Sequence, residues 1–339
     1  MGLIKQFYDE LTYLKEFNIS SIMISTTAKH ALEFRVLPRR SISNMGISSF
    51  MINDETKLEE TLSFFDGNVD NIYIDVEQKQ FLNLFEIARK IVKKSKVITV
   101  KPNDTTIESC DSLIRHSLND DLYNKNIIVI GTGNLASKIA IRLAERQANV
   151  YIVGRTAEKE KKVAEAINLF LPKHTSLIKP IDLINTEKAN VIVSFLSGQF
   201  NREEEIMPLI TTDTLIIDGG INNFSSDFIK EILMNNVQIT RLDTRIALSY
   251  QLLLDDDYTR SFFTDIFGQS VVQETQIVAG GYIGDEGTVI VDSIKNPNQI
   301  IGIADGSGGV KAREQLSEAD RDRIQKIKKI ISTSSQTNI

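Results

Sequence analysis

The sequence predicts an α/β protein: an N-terminal α/β domain, then a doubly wound parallel sheet, then a small C-terminal antiparallel β appendage. Three observations predict it. From Asp70 to Asp243, near-continuous apolar runs alternate with amphipathic stretches of helical period, the pattern of parallel strands covered on both faces by helices. A glycine turn, Gly131–Ala136 (GTGNLA), joins one such run to one such helix. Beyond Gln276, short β-rich runs are separated only by turn residues.

The elements follow in order. Residues 3–16 have helical spacing and Ser20–Ser25 is a short strand, followed by a mixed segment. Asp70–Val76 is a strand. Residues 79–95 read as an amphipathic helix with Phe81, Leu84, Phe85, Ala88 and Val92 on one face. Lys96–Val100 is a strand, and 102–118 is a helix with Asp104 or Thr105 as its N-cap. The second series alternates strands (126–131, 149–154, 189–196, 213–220, 237–243) with helices (135–146, 157–169, 225–236). A helix over Ile246–Phe267 is free to pack back on the first domain. The runs at 275–284, 287–294 and 298–306 suggest an antiparallel meander, and a helix from near Ser317 closes the chain. The expected domains are 1–118 for substrate and catalysis, 119–245 for a nucleotide, 246–275 as the returning helix, and 276–339 as meander plus helix.

Composition narrows the function. The chain has 339 residues, 42% hydrophobic and 25% charged, with net charge −6. That is a globular balance, and a net negative chain repels a nucleic-acid backbone. The single cysteine, Cys110, rules out a disulfide framework or thiolate cluster, and His30, His116 and His174 lack metal-ligand spacing, so no metal is expected. No apolar run approaches the roughly 18 residues of a membrane span, and the first ten residues lack a secretion signal's apolar core. A cytoplasmic location and no membrane partner are expected.

The glycine turn carries the first chemistry. Gly131 permits the tight bend, Gly133 lets backbone approach a pyrophosphate, and small Ala136 lets helix and strand pack closely. With Thr132, Asn134 and Leu135 they open a helix whose free N–H groups favour phosphate. This is a Rossmann-type arrangement. Such sites usually carry an acid for the adenosine ribose at the end of the second strand; here stand Gly154, Arg155 and Thr156, with Lys159 one turn on. A guanidinium pairs with a 2′-phosphate through its planar fork, so the expected cofactor is NADP.

The run from GTGNLASKIA to VYIVGRTAEK resembles the shikimate/quinate dehydrogenases, a family related to glutamyl-tRNA reductase and methylene-tetrahydrofolate dehydrogenase. Gly-Arg-Thr stands where that family has Asn-Arg-Thr. The segment TLIIDGGIN is similar to the methylene-tetrahydrofolate dehydrogenase strand end, and LDTRIALSYQLLL to a shikimate dehydrogenase helix whose Gln contacts substrate, here Gln251. The resemblance implies hydride transfer between nicotinamide and a small polar metabolite in an interdomain cleft. It implies Lys79 as the catalytic lysine with Asp104 as its partner, and Asn103, Asn222 and Gln251 as substrate contacts. Ser194, Leu196, Asp218 and Gly219, at the ends of two later strands, complete the cofactor set. The lysine lacks the family's Asn and Pro before it, and ISTTAKH (24–30) is the only candidate for its early substrate signature, so shikimate itself is not the expected substrate. Two alternatives stay open: an inactive NADP-binding sensor, and an enzyme of methylene-tetrahydrofolate type. Cys110 as a thioester nucleophile, as in glutamyl-tRNA reductase, is disfavoured by its place in a helix. A second copy of the chain is a candidate partner through the glycine-rich tail strands.

Overall fold

The apolar runs ahead of the glycine turn pair as one sheet. In the computed structural model, residues 2–27, 33–253 and 257–336 are described, apart from the side chains of Gln251 and 333–336. The chain runs α1 (Leu3–Leu14), β1 (Ile19–Ser25), β2 (Phe34–Ile42), β3 (Met45–Ile52), α2 (Glu55–Phe65), β4 (Asn71–Asp75), α3 (Leu84–Ile91), β5 (Lys96–Val100) and α4 (Pro102–Ser117). The strands lie in the order β2-β3-β1-β4-β5. All are parallel except β2, which runs antiparallel at one edge. Phe7, Phe50, Phe65, Ile22, Leu58 and Ile72 are wholly buried against one another in its core.

Three expectations change here. The mixed segment is the hairpin β2–β3 followed by α2. Pro38, Arg39 and Arg40 hide β2 from a hydrophobicity reading, and an edge strand tolerates them because only one side of its backbone is paired. The helix expected from residue 79 begins at Leu84, where the Asn83 side chain caps the Glu86 N–H at 3.1 Å. Phe81 is consequently outside the helix and fully exposed. Helix α4 starts at Pro102 with Lys101 as N-cap, so Asp104 lies inside the first turn; proline is preorganised for that first position and has no N–H to leave unpaired.

The second series continues with β6 (Asn126–Ile130), α5 (Asn134–Glu145), β7 (Asn149–Val153), α6 (Ala157–Asn168), β8 (Lys179–Pro180), β9 (Val191–Ser194), α7 (Glu203–Ile206), β10 (Leu215–Asp218), α8 (Ser226–Met234) and β11 (Gln238–Arg241). They form a parallel sheet in the order β11-β10-β9-β6-β7-β8. The chain leaves β6 toward β7 and later returns to its other side with β9. Such a switch point opens a crevice at the carboxyl ends of the strands. Alternate residues of β6, Ile127 and Val129 against Ile128 and Ile130, feed the cores on the two faces.

The expected long helix is two, α9 (Arg245–Leu253) and α10 (Asp257–Ile266); residues 254–256 lie outside the described residues. The start of α9 is tied to α4, with Ser109 Oγ donating to the Thr244 carbonyl at 3.1 Å and accepting from the Ala247 N–H at 3.2 Å. Contacts divide the chain into two compact units, Met1–Ser249 and Tyr250–Ile339. The second holds β12 (Gln269–Val272), β13 (Thr275–Ala279), β14 (Val289–Val291), β15 (Ile300–Ile303) and α11 (Glu318–Gln336). The outer pairs of this sheet are antiparallel, but β13 and β14 are parallel. The strands therefore do not follow a meander: residues 280–288 carry the chain back to the start of the sheet before β14 begins. Ile277, Val289, Val291 and Ile303 bury against Ile327 of α11. Among the described residues, no helix is long and apolar enough to cross a membrane.

Candidate active site

The turn after β6 is built as its sequence demands. Gly131 has φ 137° and donates its N–H to the Val153 carbonyl at 2.7 Å. A Cβ there would sit 2.6 Å from the Phe195 carbonyl oxygen and 2.9 Å from Ala136 Cβ, so glycine is required and Ala136 is already the largest comfortable neighbour. Gly133 is the N-cap of α5, and a Cβ built on it meets nothing within 4 Å. No side chain caps α5, and no acid stands in its first turn. The first-turn N–H groups of α5, which have no intrahelical partner, and the positive end of the helix thus lie beside the open space at Gly133, a cradle that fits a dinucleotide pyrophosphate.

The turn after β7 touches this one. A Cβ on Gly154 would lie 2.7 Å from Thr132 Cγ2. Arg155, Thr156 and Lys159 are all exposed. Among the described residues, Arg155 is held only by a long 3.4 Å contact to Ser197 Oγ, and Thr156 is the N-cap of α6 without a capping hydrogen bond from its hydroxyl. All three are at liberty to turn toward a ligand.

At the ends of β9 and β10 the sequence reading missed the central residue, Asn223. It is wholly buried. Its Oδ1 accepts from Ser194 Oγ and from the Leu196 N–H, both at 2.9 Å, and its Nδ2 donates to the carbonyls of Leu196 and Gly198 at 3.0 Å. Asp218 accepts from the N–H groups of Gly220 and Asn223, and the Gly219 N–H donates to Ser194. Ser194, Leu196, Asp218 and Gly219 are therefore brought together, with their polar groups spent largely on fixing the two strand ends. Asn222 is exposed and left-handed at φ 58°, and Ile221 before it has φ 61°. A β-branched residue in that region is strained, and such strain collects at functional turns.

Lys79 sits beyond β4, its Nζ 2.7 Å from Asp75 Oδ2 and 3.1 Å from Glu77 Oε2. Asp75 also accepts from the Glu77 N–H at 2.8 Å and from the Thr26 N–H at 3.4 Å, while Glu77 accepts from the Asn103 N–H at 2.7 Å. The partner expected for Lys79 is thus replaced: Asp104 pairs instead with Lys101 and with Lys138 of α5, at 2.5 Å for the latter. The reason is the position of Asp104 inside the first turn of α4, which points it toward α5. Burial alone would raise its carboxyl, but hydrogen bonds from Lys101 and Lys138 hold it below the ordinary carboxylate value. The contacts nevertheless link Lys79 through Glu77 and the start of α4 to Lys138, one turn into the helix that opens at the glycine turn. Cys110 is wholly buried, out of reach of a substrate carbonyl, and burial pushes its thiol up. Residues 28–30 of the early candidate segment and the side chain of Gln251 lie outside the described residues.

The model of the shikimate/quinate 5-dehydrogenase family matches residues 112–207, from α4 through the glycine turn and the Arg155 turn to α7. That segment is shikimate dehydrogenase-like. Two shikimate dehydrogenases (NADP(+)) of Methanococcus maripaludis, strains C6 and S2, are 25% and 29% identical over 122 and 115 residues, or 34% and 32% of this chain. The chain spans 43% and 41% of the length of these relatives. Among solved structures, the shikimate dehydrogenase of Aquifex aeolicus is 18% identical, with a TM-score of 0.41 over 71% of this chain and 92% of its own. A shikimate dehydrogenase in complex with NADP+ is 15% identical, with a TM-score of 0.40 over 70% and 90%. The shikimate dehydrogenase-like segment contains the glycine turn, Arg155 and Ser194; Lys79, Asp75 and Glu77 lie before it and Asn223 beyond it.

Proposed function

We propose that the protein is an NADP-dependent oxidoreductase acting on a small polar metabolite. The observation that carries this reading is Arg155 at the end of β7, exposed and loosely held beside an open glycine cradle, where an acid would suit an unphosphorylated ribose. In this reading the cradle of Gly131–Ala136 holds the pyrophosphate, and Arg155, Thr156 and Lys159 hold the 2′-phosphate through charge-assisted hydrogen bonds. The bound cofactor supplies a nicotinamide that gives or takes hydride. The names of the curated relatives, NADP(+)-dependent dehydrogenases, support the same cofactor.

Lys79 is the proton-transfer group. Its Nζ gives a proton to a carbonyl oxygen in reduction or accepts one from a hydroxyl in oxidation, and Asp75 and Glu77 fix it in place. These two acids take the partner role expected of Asp104, which acts by holding Lys101 and Lys138. Asn103 and Asn222 are the substrate contacts. The test is a fluorescence titration of NADPH against NADH, followed by a turnover screen over hydroxy acids, keto acids and methylene-tetrahydrofolate. NADPH should bind at least about tenfold tighter, the scale of one charge-assisted contact. Lys79→Met should then lower kcat by about 10²–10⁴-fold with NADPH binding retained. Equal affinities overturn the cofactor assignment; NADPH binding without turnover of any substrate favours the sensor.

A further inference from the structure

The first turn after β7 carries two acids: Glu158 is exposed and paired with Lys162 at 2.7 Å, whereas Glu160 faces inward. Glu160, in the first turn of α6, is buried, its side chain only 3% exposed, and its Oε1 accepts from the Gly154 N–H at 2.9 Å. The same oxygen pairs with Nη1 of Arg202, from the loop ahead of α7. That Nη1 also donates to the Gly154 carbonyl at 2.9 Å. The other edge of the guanidinium is taken by Glu205, through Nε at 2.7 Å and Nη2 at 2.6 Å. Both backbone groups of Gly154 are thereby clamped, and the next residue is Arg155.

We propose that Arg202 is a positioning and specificity-determining residue for the phosphorylated cofactor: it cancels the buried Glu160 carboxylate beneath the 2′-phosphate pocket and fixes the backbone from which Arg155 reaches. This rests on the NADP reading above. A buried carboxylate is little screened by water, so without its cation it would oppose a phosphate in the same turn far more than a ribose hydroxyl. The cation comes from a different strand connection, which places cofactor choice under the control of the β9–α7 loop as well as the β7–α6 turn.

Dissociation constants for NADPH and NADH, measured by fluorescence on the full chain, test this in four variants. Arg202→Met should weaken NADPH by about tenfold or more and NADH by less than about threefold, as expected for the loss of one positive charge near one added phosphate. Removing both charges, R202M with E160Q, should return NADPH to within about threefold of the unsubstituted protein. Arg202→Lys, which keeps the charge without the fork, should retain most of the preference. Glu160→Gln alone keeps an oxygen for the Gly154 N–H and should leave the NADPH preference equal or greater; it serves if R202M does not fold. An equal loss of both cofactors in R202M, a double variant no better than the single one, or a reduced NADPH preference in E160Q overturns the role of Arg202. Equal affinities in the unsubstituted protein overturn the cofactor reading instead.

Discussion

Gly131 shows how much one residue can be asked to do. Its positive φ and the 2.6 Å approach of the Phe195 carbonyl to any added Cβ mean that Gly131→Ala must strain the backbone and push β9 away from β6. The expected cost is about 1–3 kcal/mol from the backbone alone, with cofactor binding lost in the same variant. Chemical denaturation alongside NADPH titration checks both, and an unchanged denaturation midpoint contradicts the geometry. Gly131, Gly133, Ala136 and Arg155 were legible in the sequence because their roles depend on residue type within one short turn. Asn223 and Arg202 were not, because each acts through partners brought to it by another strand; Asp75 and Glu77 were passed over although Lys79 lies only four and two residues on. The reading reached Asn222 and stopped one residue short, since nothing in the local pattern says which of two adjacent asparagines turns inward.

At the scale of elements, the seam between α4 and α5 joins the two sheets of the first unit. Asp111, wholly buried on α4, receives two bonds of 2.7 Å from Arg146, and Asp104 receives Lys138. The Asp104 carboxyl is held low by its lysines, so its contribution to stability is fully present above the usual carboxylate value of about 3.8 and is lost as pH falls through its lower folded value. Asp104→Asn should therefore flatten part of the loss of stability between pH 5 and pH 3, by a modest amount because the pair is partly exposed to solvent. Urea midpoints across about pH 3–6 measure it, and an identical pH profile in the variant removes Asp104 from the seam. Elements with clean periodicity, β4 through β7, appear where the sequence predicts them. Among those that the reading lost, β2 is an edge strand carrying Pro38 and two arginines, and the true start of α3 is set by an Asn cap.

The whole molecule divides into two compact units with separate cores. Ile303, wholly buried against Ile277, Val289 and Ile327, belongs to the second. Ile303→Ala should cost that unit about 2–5 kcal/mol while leaving NADPH affinity within about twofold, since its core shares no residue with the core behind the glycine turn. Calorimetry and cofactor titration on one sample decide it; a parallel loss of NADPH binding would show that the cofactor site depends on the second core.

By itself the sequence determined the alternating strands and helices, the parallel sheet behind the glycine turn, and the basic residue where a ribose acid is usual. These are local facts, fixed by the period of apolar residues and by the conformations glycine allows. Only the tertiary structure decided which charges meet: Lys79 with Asp75 and Glu77 rather than Asp104, Asp104 with Lys138, and Glu160 with Arg202. Asp104 with Lys138 and Glu160 with Arg202 depend on where separate chain segments converge, which neither spacing nor composition carries; for Lys79 the fold decided between a neighbour four residues away and a remote acid.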